Sequence, residues 1–144
     1  VVFEALELGG SKRGSMKQRL HLWRARAVQS IVAGKVYRFG CRMSHVCAWN
    51  TSRLAFDGSG RVLRGSESER TSNNYSLCEF SNGKLYHCDL NASYNIGARY
   101  YIRELLKSVP ATRRLQLEAK VPSVCKRSTC VLSDLISLGA AMVA

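Results

Sequence analysis

The most informative stretch of the chain reads Cys88-Asp89-Leu90-Asn91-Ala92-Ser93-Tyr94-Asn95-Ile96-Gly97-Ala98-Arg99. It places one acidic residue directly before a predicted helix start. We expect Asn91 to be the N-cap, because its side-chain oxygen can accept from the free backbone N–H groups of the first turn. Asp89 would then lie at the positive end of the helix dipole, which keeps a carboxylate ionised and suits a metal ligand. On these residues alone, a simple helix-start acid is the alternative interpretation.

The helix that begins here is predicted to run over residues 91–108, because Pro110 cannot continue it. Its apolar face follows helical spacing and consists of Tyr94, Ala98, Tyr101, Ile102 and Leu105. Two further helices are predicted over residues 111–119 and 132–138.

Upstream, the pattern predicts a strand, a long helix and a second strand. Residues 1–8 form a short apolar run that indicates a buried strand. Residues 15–39 predict a helix that stops at Gly40, with an inward face of Met16, Leu20, Trp23, Ala27 and Ile31. Residues 41–48 predict the second strand.

Turn signals organise the middle of the chain. Gly58-Ser59-Gly60 predicts a short hairpin over residues 54–63, and Asn82-Gly83 predicts a second one over residues 75–88. The polar segment 65–74 between them predicts an exposed, mobile loop. Together these elements indicate a mixed α/β fold.

The charge distribution favours a polyanionic partner. The 144 residues carry 22 basic and 10 acidic side chains, a net charge of +12. No acidic residue occurs between Glu7 and Asp57. A segment of this length with positive charges alone favours a nucleic-acid partner, because a helix that is only solvated would normally carry charges of both signs. The basic residues in this gap are Lys12, Arg13, Lys17, Arg19, Arg24, Arg26, Lys35, Arg38, Arg42 and Arg53. No apolar run approaches the length that spans a bilayer.

The cysteines and the start of the chain indicate its setting. The sequence has six cysteines, and no signal peptide precedes them. Together with the basic charge, this favours a reducing, cytoplasmic setting. The chain starts without Met inside a strand-like run. We therefore expect it to be the C-terminal part of a longer protein.

Two motifs resemble one nuclease family. Asp89-x-Asn91-Ala92-Ser93-x-Asn95-Ile96 resembles the last catalytic motif of the RuvC-like nucleases of the TnpB (OrfB) family. Those proteins are transposon-encoded, RNA-guided DNA endonucleases related to the type V CRISPR effectors. Val1-Val2-Phe3-Glu4-Ala5-Leu6-Glu7-Leu8 resembles the middle motif of that family, a strand with one catalytic glutamate. The resemblance covers roughly residues 1–106, with a basic helix between the two motifs.

The resemblance implies a fold and its division. We expect a partial RNase H-like (RuvC-like) domain made of residues 1–54 and 89–109, with its first strands missing. Residues 55–88 would be an inserted hairpin or degenerate zinc ribbon, and residues 110–144 a C-terminal tail. The implied partners are DNA, a guide RNA and the upstream part of the same polypeptide.

The resemblance also implies the site. Glu4 and Asp89 match two catalytic carboxylates of the family, which hold Mg²⁺ or Mn²⁺; the family's first aspartate has no match, so we expect this chain not to cut DNA alone. Glu4 shares a strand face with apolar Val2 and Leu6, where an unpaired carboxylate is costly to bury; the alternative is a solvent-facing strand residue. The nucleic-acid-binding residues are expected to be Lys12, Arg13, Lys17, Arg19, Arg24, Arg26, Lys35 and Arg38.

Zinc ribbons of the family carry two Cys-x-x-Cys pairs, and this insertion departs from them. It keeps Cys78 and Cys88, with nine residues between them, as the ligands if zinc is bound at all. We favour the interpretation without zinc, in which both cysteines are small apolar residues across a hairpin. An apolar core would then replace the metal, built from Phe56, Leu63, Tyr75, Phe80 and Tyr86.

Three function hypotheses follow. The first is the metal-dependent nuclease, and the second is a non-catalytic, basic nucleic-acid-binding remnant of the same family. The third is an RNA-associated basic protein with coincidental motifs, which predicts no divalent-metal binding at Glu4 and Asp89. Trp49 is expected in the core, with a base-stacking platform as its alternative role.

Overall fold

A computed structural model of the protein describes residues 1–5 and 16–144, and for residues 16–23 it describes the backbone alone. The chain divides into two compact units, residues 1–48 and residues 49–144. Both helices and strands occur, which confirms the mixed α/β class. The strands are β1 (Val2–Ala5), β2 (Ser44–Cys47), β3 (Leu63–Arg64), β4 (Leu77–Glu79) and β5 (Leu85–His87), and the helices are α1 (Met16–Arg38), α2 (Cys88–Ser108), α3 (Ala111–Lys120) and α4 (Leu132–Val143).

The first unit is a strand, helix and strand. β1 and β2 pair in parallel, with Glu4 opposite Val46. Parallel neighbours need a long crossover connection, and α1 lies in that connection. Residues 6–8 of the predicted first strand lie outside the described residues.

The inward face of α1 differs from the predicted one. Val36 is buried and Gln29 is half-buried, with its side-chain nitrogen donating to the Glu4 carbonyl oxygen at 3.2 Å. Ile31, predicted to face inward, is 63% exposed. Of the other predicted members, Ala27 is half-buried, and the side chains of Met16, Leu20 and Trp23 lie outside the described part of the chain. The polar Gln29 lies inward because it satisfies a strand carbonyl.

The end of α1 confirms Gly40 as a helix stop. Gly40 has φ +67°, a backbone conformation that glycine adopts without steric cost. The Cys41 N–H donates to the Val36 oxygen at 3.0 Å, and the Gly40 N–H donates to the Tyr37 oxygen at 3.0 Å. This pair of bonds is the Schellman arrangement, which satisfies two carbonyls of the last turn.

The second unit begins with turns and a three-stranded antiparallel sheet of order β3, β4, β5. The hairpin at Asn82-Gly83 is confirmed, with Gly83 at φ +79° and the Phe80 N–H bonded to the Lys84 oxygen at 2.9 Å. The hairpin predicted over residues 54–63 is reduced to one antiparallel bridge between Leu54 and Arg61.

The segment 65–74 is mostly exposed, as its polar composition predicts, but it also has local structure. It forms two 3₁₀ turns, Gly65–Glu67 and Glu69–Thr71. Thr71 is buried, and its hydroxyl donates to the Gly65 oxygen at 2.8 Å. Arg70 also pairs with Glu79 of β4 at 2.8 Å. These bonds to neighbours, which composition does not reveal, fold the segment.

Helix α2 begins three residues earlier than predicted, so the assignment of Asn91 as N-cap is wrong. The N-cap is His87, whose Nδ1 accepts from the Asp89 N–H at 3.2 Å. The chain passes directly from β5 into α2, because the Cys88 N–H donates to the Ser76 oxygen at 2.8 Å and the Cys88 side chain is buried. Asn91 therefore lies in the second turn.

The remaining helices pack on α2. The confirmed helix α3 and helix α4, which continues to Val143, enclose an apolar core with the C-terminal half of α2. Its buried members are Ile102, Leu106, Leu117, Val124, Cys130 and Leu138. The predicted face of α2 is thus partly right, because Ala98 and Ile102 are buried but Tyr94 and Tyr101 are exposed. Among the described residues, we find no helix with the length and apolar character needed to cross a bilayer.

Candidate functional site

Asp89 lies in the first turn of α2 with its side chain 91% exposed. Its ion-pair partner is His87, whose Nδ1 is 3.9 Å from the carboxylate oxygen. An exposed carboxylate at a helix start is a hard oxygen donor, the type that Mg²⁺ prefers. Asp89 therefore suits one coordination position of a hard divalent ion.

Two buried asparagines one turn apart fix the helix that carries Asp89. Asn91 donates to the Leu54 oxygen at 2.9 Å and accepts from the Phe56 N–H at 2.9 Å. Asn95 donates to the same Leu54 oxygen at 2.8 Å and to the Thr51 oxygen at 2.9 Å. Both side chains are fully buried. An unsatisfied buried backbone group costs about 1–3 kcal/mol, so these bonds hold segment 49–56 firmly on α2.

Arg99 extends this arrangement by one more turn. Its Nη1 donates to the Trp49 oxygen at 2.8 Å, and its Nε donates to the Cys130 oxygen at 3.1 Å. Together with Asn91 and Asn95 it forms a ladder at positions i, i+4 and i+8, which we call the polar clamp. The sequence contains the signal, because three polar residues recur at helical spacing beside the apolar stripe. What the sequence hides is the partner, a backbone segment 35 to 50 residues away.

Trp49 is not a core residue, contrary to the prediction. Its side chain is 60% exposed, while its carbonyl oxygen is held by Arg99. The backbone contact, and not burial of the ring, fixes this residue.

Glu4, the other predicted metal ligand, is half-buried in β1. It belongs to the unit of residues 1–48, whereas Asp89 belongs to the unit of residues 49–144, and each unit is described by itself. Within residues 1–5 and 16–144, no three His, Cys, Asp or Glu side chains are gathered as a metal ion would require. Glu4 and Asp89 thus each offer one oxygen ligand.

The predicted nucleic-acid-binding residues all lie in or before α1. Lys12 and Arg13 are outside the described residues, and Lys17 and Arg19 lie in α1 where the backbone alone is described. The remaining four are all exposed: Arg24, Arg26, Lys35 and Arg38. Their exposure makes them accessible to a polyanion.

Cys78 of β4 and Cys88 of α2 lie in one apolar core, as we predicted for small apolar residues. Both are free and buried, and Cys78 donates to the Tyr86 oxygen at 3.4 Å. Burial, and secondarily the neighbouring Cys88, raises the pKa of the Cys78 thiol to about 12. Without a bound metal, this environment keeps the Cys78 thiol protonated.

The aromatic part of that core is confirmed for three of its predicted members. The Phe56 ring contacts the Phe80 ring edge-on at 5.5 Å between centroids, and it contacts the Tyr86 ring at 5.0 Å. Leu63 and Tyr75 were predicted to join this core, but both are exposed.

Comparison of the chain with protein-family models, with curated proteins and with solved structures found no match. Function is therefore argued from the residues and their geometry.

Proposed function

We propose that this chain is the C-terminal nuclease portion of an RNA-guided, transposon-associated DNA endonuclease of the RuvC-like type. The observation that carries the proposal is Asp89, an exposed carboxylate that the motif marks as catalytic, at the start of a helix fixed by the polar clamp. The parallel strand pair around α1 supports it, because that order fits the back half of an RNase H-like domain. The cytoplasmic setting and the partners, DNA and a guide RNA, belong to the same proposal.

Glu4 and Asp89 have distinct supports in this proposal. Glu4 is positioned by β1, where its neighbours pair with β2 and its carbonyl accepts from Gln29. Asp89 is positioned by the first turn of α2, whose N-cap is His87. A bound Mg²⁺ or Mn²⁺ supplies the activation of water and the stabilisation of the leaving oxygen in phosphodiester hydrolysis. The two side chains serve as oxygen ligands for that ion.

The test is metal binding by the 144-residue chain, followed through its amide NMR signals. Paramagnetic Mn²⁺ broadens signals near its binding site. We expect broadening around Glu4 and around Asp89 at the same Mn²⁺ concentration, and its loss at both places in either Glu4→Gln or Asp89→Asn. Glu69→Gln is the matched control, because Glu69 is an exposed acid outside the proposed site. Broadening at Glu4 that persists in Asp89→Asn would disprove a shared ion.

The second candidate is a non-catalytic nucleic-acid-binding module. The exposure of Arg24, Arg26, Lys35 and Arg38 favours it, because phosphate contacts need accessible cations and no catalytic carboxylates. Salt-dependent DNA binding without coupled Mn²⁺ effects at Glu4 and Asp89 would select this candidate over the nuclease.

A further inference from the structure

The end of α1 and the turn that follows it expose two large aromatic rings. Tyr37 is 85% exposed and Phe39 is 83% exposed. Neither ring contributes to the packing of the first unit, in which Val36 and Val46 are buried. The two rings lie two residues apart in the sequence, and large aromatic side chains left exposed often mark a binding site.

The backbone explains why both rings face solvent. Val36 occupies the inward position of the last turn, so its neighbour Tyr37 is directed away from the strands. The left-handed Gly40 then turns the chain towards β2, and the Cys41 thiol donates to the Phe39 oxygen at 3.6 Å. The rings are therefore carried by a turn with defined hydrogen bonds.

The charged residues that flank the two rings in the sequence are all positive. Lys35, Arg38 and Arg42 are exposed, and no acidic residue occurs in the sequence between Glu7 and Asp57. A helix C-terminus ordinarily carries partial negative charge. Here two of the terminal carbonyls, those of Val36 and Tyr37, accept backbone N–H groups. The positive charges of Lys35, Arg38 and Arg42 oppose the partial negative charge of the other terminal carbonyls. The charge is complementary to phosphate groups.

An open pocket adjoins this surface. It has a volume of about 700 Å³ and is lined by Tyr37 and by residues 40–43. Aromatic, cationic and backbone groups thus border one concave space. An apolar protein segment would find only part of its surface matched here, because the cation Arg42 lines the pocket beside Tyr37.

We propose that this surface, which we call the α1-end site, binds single-stranded nucleic acid. Tyr37 and Phe39 stack on bases, while Lys35, Arg38 and Arg42 contact the phosphates. Proteins that hold single strands combine these two features, and stacking tolerates any base sequence. The inference deepens the proposed function, on which it rests for its ligand class, by assigning strand binding to residues at the end of α1.

The test compares four labelled probes by fluorescence anisotropy: a 20-nucleotide thymidine strand, the matching uridine strand, an abasic strand of equal length and a 20-bp DNA duplex. We expect Tyr37→Ala with Phe39→Ala to weaken thymidine-strand binding by about 5- to 100-fold, the effect of losing one stacked base or more. Abasic-strand and duplex binding should stay unchanged. The uridine arm shows whether RNA is bound as well as DNA. Tyr75→Ala is the matched control, being equally exposed in the other unit.

A second variant tests the phosphate contacts. Lys35→Gln, Arg38→Gln and Arg42→Gln together should weaken binding of the thymidine and abasic strands alike, and reduce the steepness of the salt dependence. The inference is overturned if the double aromatic variant binds the thymidine strand as the original chain does, or loses equal affinity for the abasic strand. Loss of self-association in that variant, with strand binding intact, would assign the rings to a protein contact instead.

The outcomes separate the two proposals. If the aromatic variant keeps strand binding while Mn²⁺ still couples Glu4 and Asp89, the α1-end site fails and the nuclease proposal stands. If strand binding depends on Tyr37 and Phe39 but Mn²⁺ does not couple the carboxylates, the site stands and the nuclease proposal fails.

Discussion

The shared carbonyl of Leu54 gives the polar clamp a measurable energetic signature. This oxygen accepts from the Asn91 amide at 2.9 Å and from the Asn95 amide at 2.8 Å. Asn91→Ala also removes the acceptor of the Phe56 N–H, so we expect a loss of about 2–4 kcal/mol in the free energy of unfolding. Asn95→Ala removes one further bond, to Thr51, and we expect a loss of about 1–3 kcal/mol.

The double variant is the sharper test. In each single variant the Leu54 oxygen keeps one donor, and in the double variant it loses both. The double variant should therefore lose more stability than the sum of the single variants, by about 0.5–2 kcal/mol, as expected for residues in one hydrogen-bond network. Residues that merely contact each other without a shared acceptor would give a sum or less.

The assay is equilibrium unfolding in urea, followed by far-UV circular dichroism. Hydrogen exchange of the α2 amides reports the second unit specifically. Ser93→Ala is the control, because Ser93 is exposed on the same helix and bonds only to the Leu90 oxygen of its own turn. An additive double variant, or a loss below about 0.5 kcal/mol for Asn91→Ala, would refute the shared-acceptor argument.

Two further predictions concern stability. The pKa of Cys78 is raised from 9.0 to about 12, so above pH 9 the folded state binds more protons than the unfolded state. The free energy of unfolding should therefore fall as the pH rises above 9, and it should fall less steeply in Cys78→Ala than in a Cys125→Ala control. Equal slopes in the two variants would contradict this prediction. Gly83→Ala should destabilise the hairpin by about 1 kcal/mol, because Gly83 has φ +79° although the space around it is open. Gly97→Ala in α2 should be neutral or stabilising. Thermal unfolding measures both variants, and equal changes in their midpoint temperatures would contradict the argument.

Local chemistry made part of the fold predictable. Gly40 and Asn82-Gly83 specify their turns through positive φ, and both were placed correctly. Helix α1 was found within one residue at each end from its spacing and its stop. These signals act over a few residues, so the sequence displays them directly.

The parts that sequence reasoning placed wrongly depend on distant partners. Asn91 has the composition of an N-cap, yet its amide is used by Leu54 and Phe56, some 35 residues away. Ile31 fits a helical stripe, yet its side chain is 63% exposed. Trp49 looks like a core residue, yet its carbonyl and not its ring is the anchored part. Each case turns on tertiary contacts that periodicity cannot show.

The candidate site was predictable only as two separate acids. Asp89 was expected just before the helix start and instead lies inside the first turn, because the helix begins after His87. The clamp beneath it was missed, because polar residues at i, i+4 and i+8 also suit a solvated face. Metal binding by Glu4 and Asp89 stays a prediction.

The bond between the Phe56 N–H and the Asn91 side chain closes a large ring of chain between these two residues. The Asn91 side-chain amide joins the two ends of this ring through its bonds to Phe56 and Leu54. Lengthening a closed loop costs little, about 0.6 kcal/mol for each doubling. The hairpin tip at Asn82 is therefore a suitable insertion site for a tag or a small reporter domain. Such an insertion should leave the position of Asp89 on α2 unchanged.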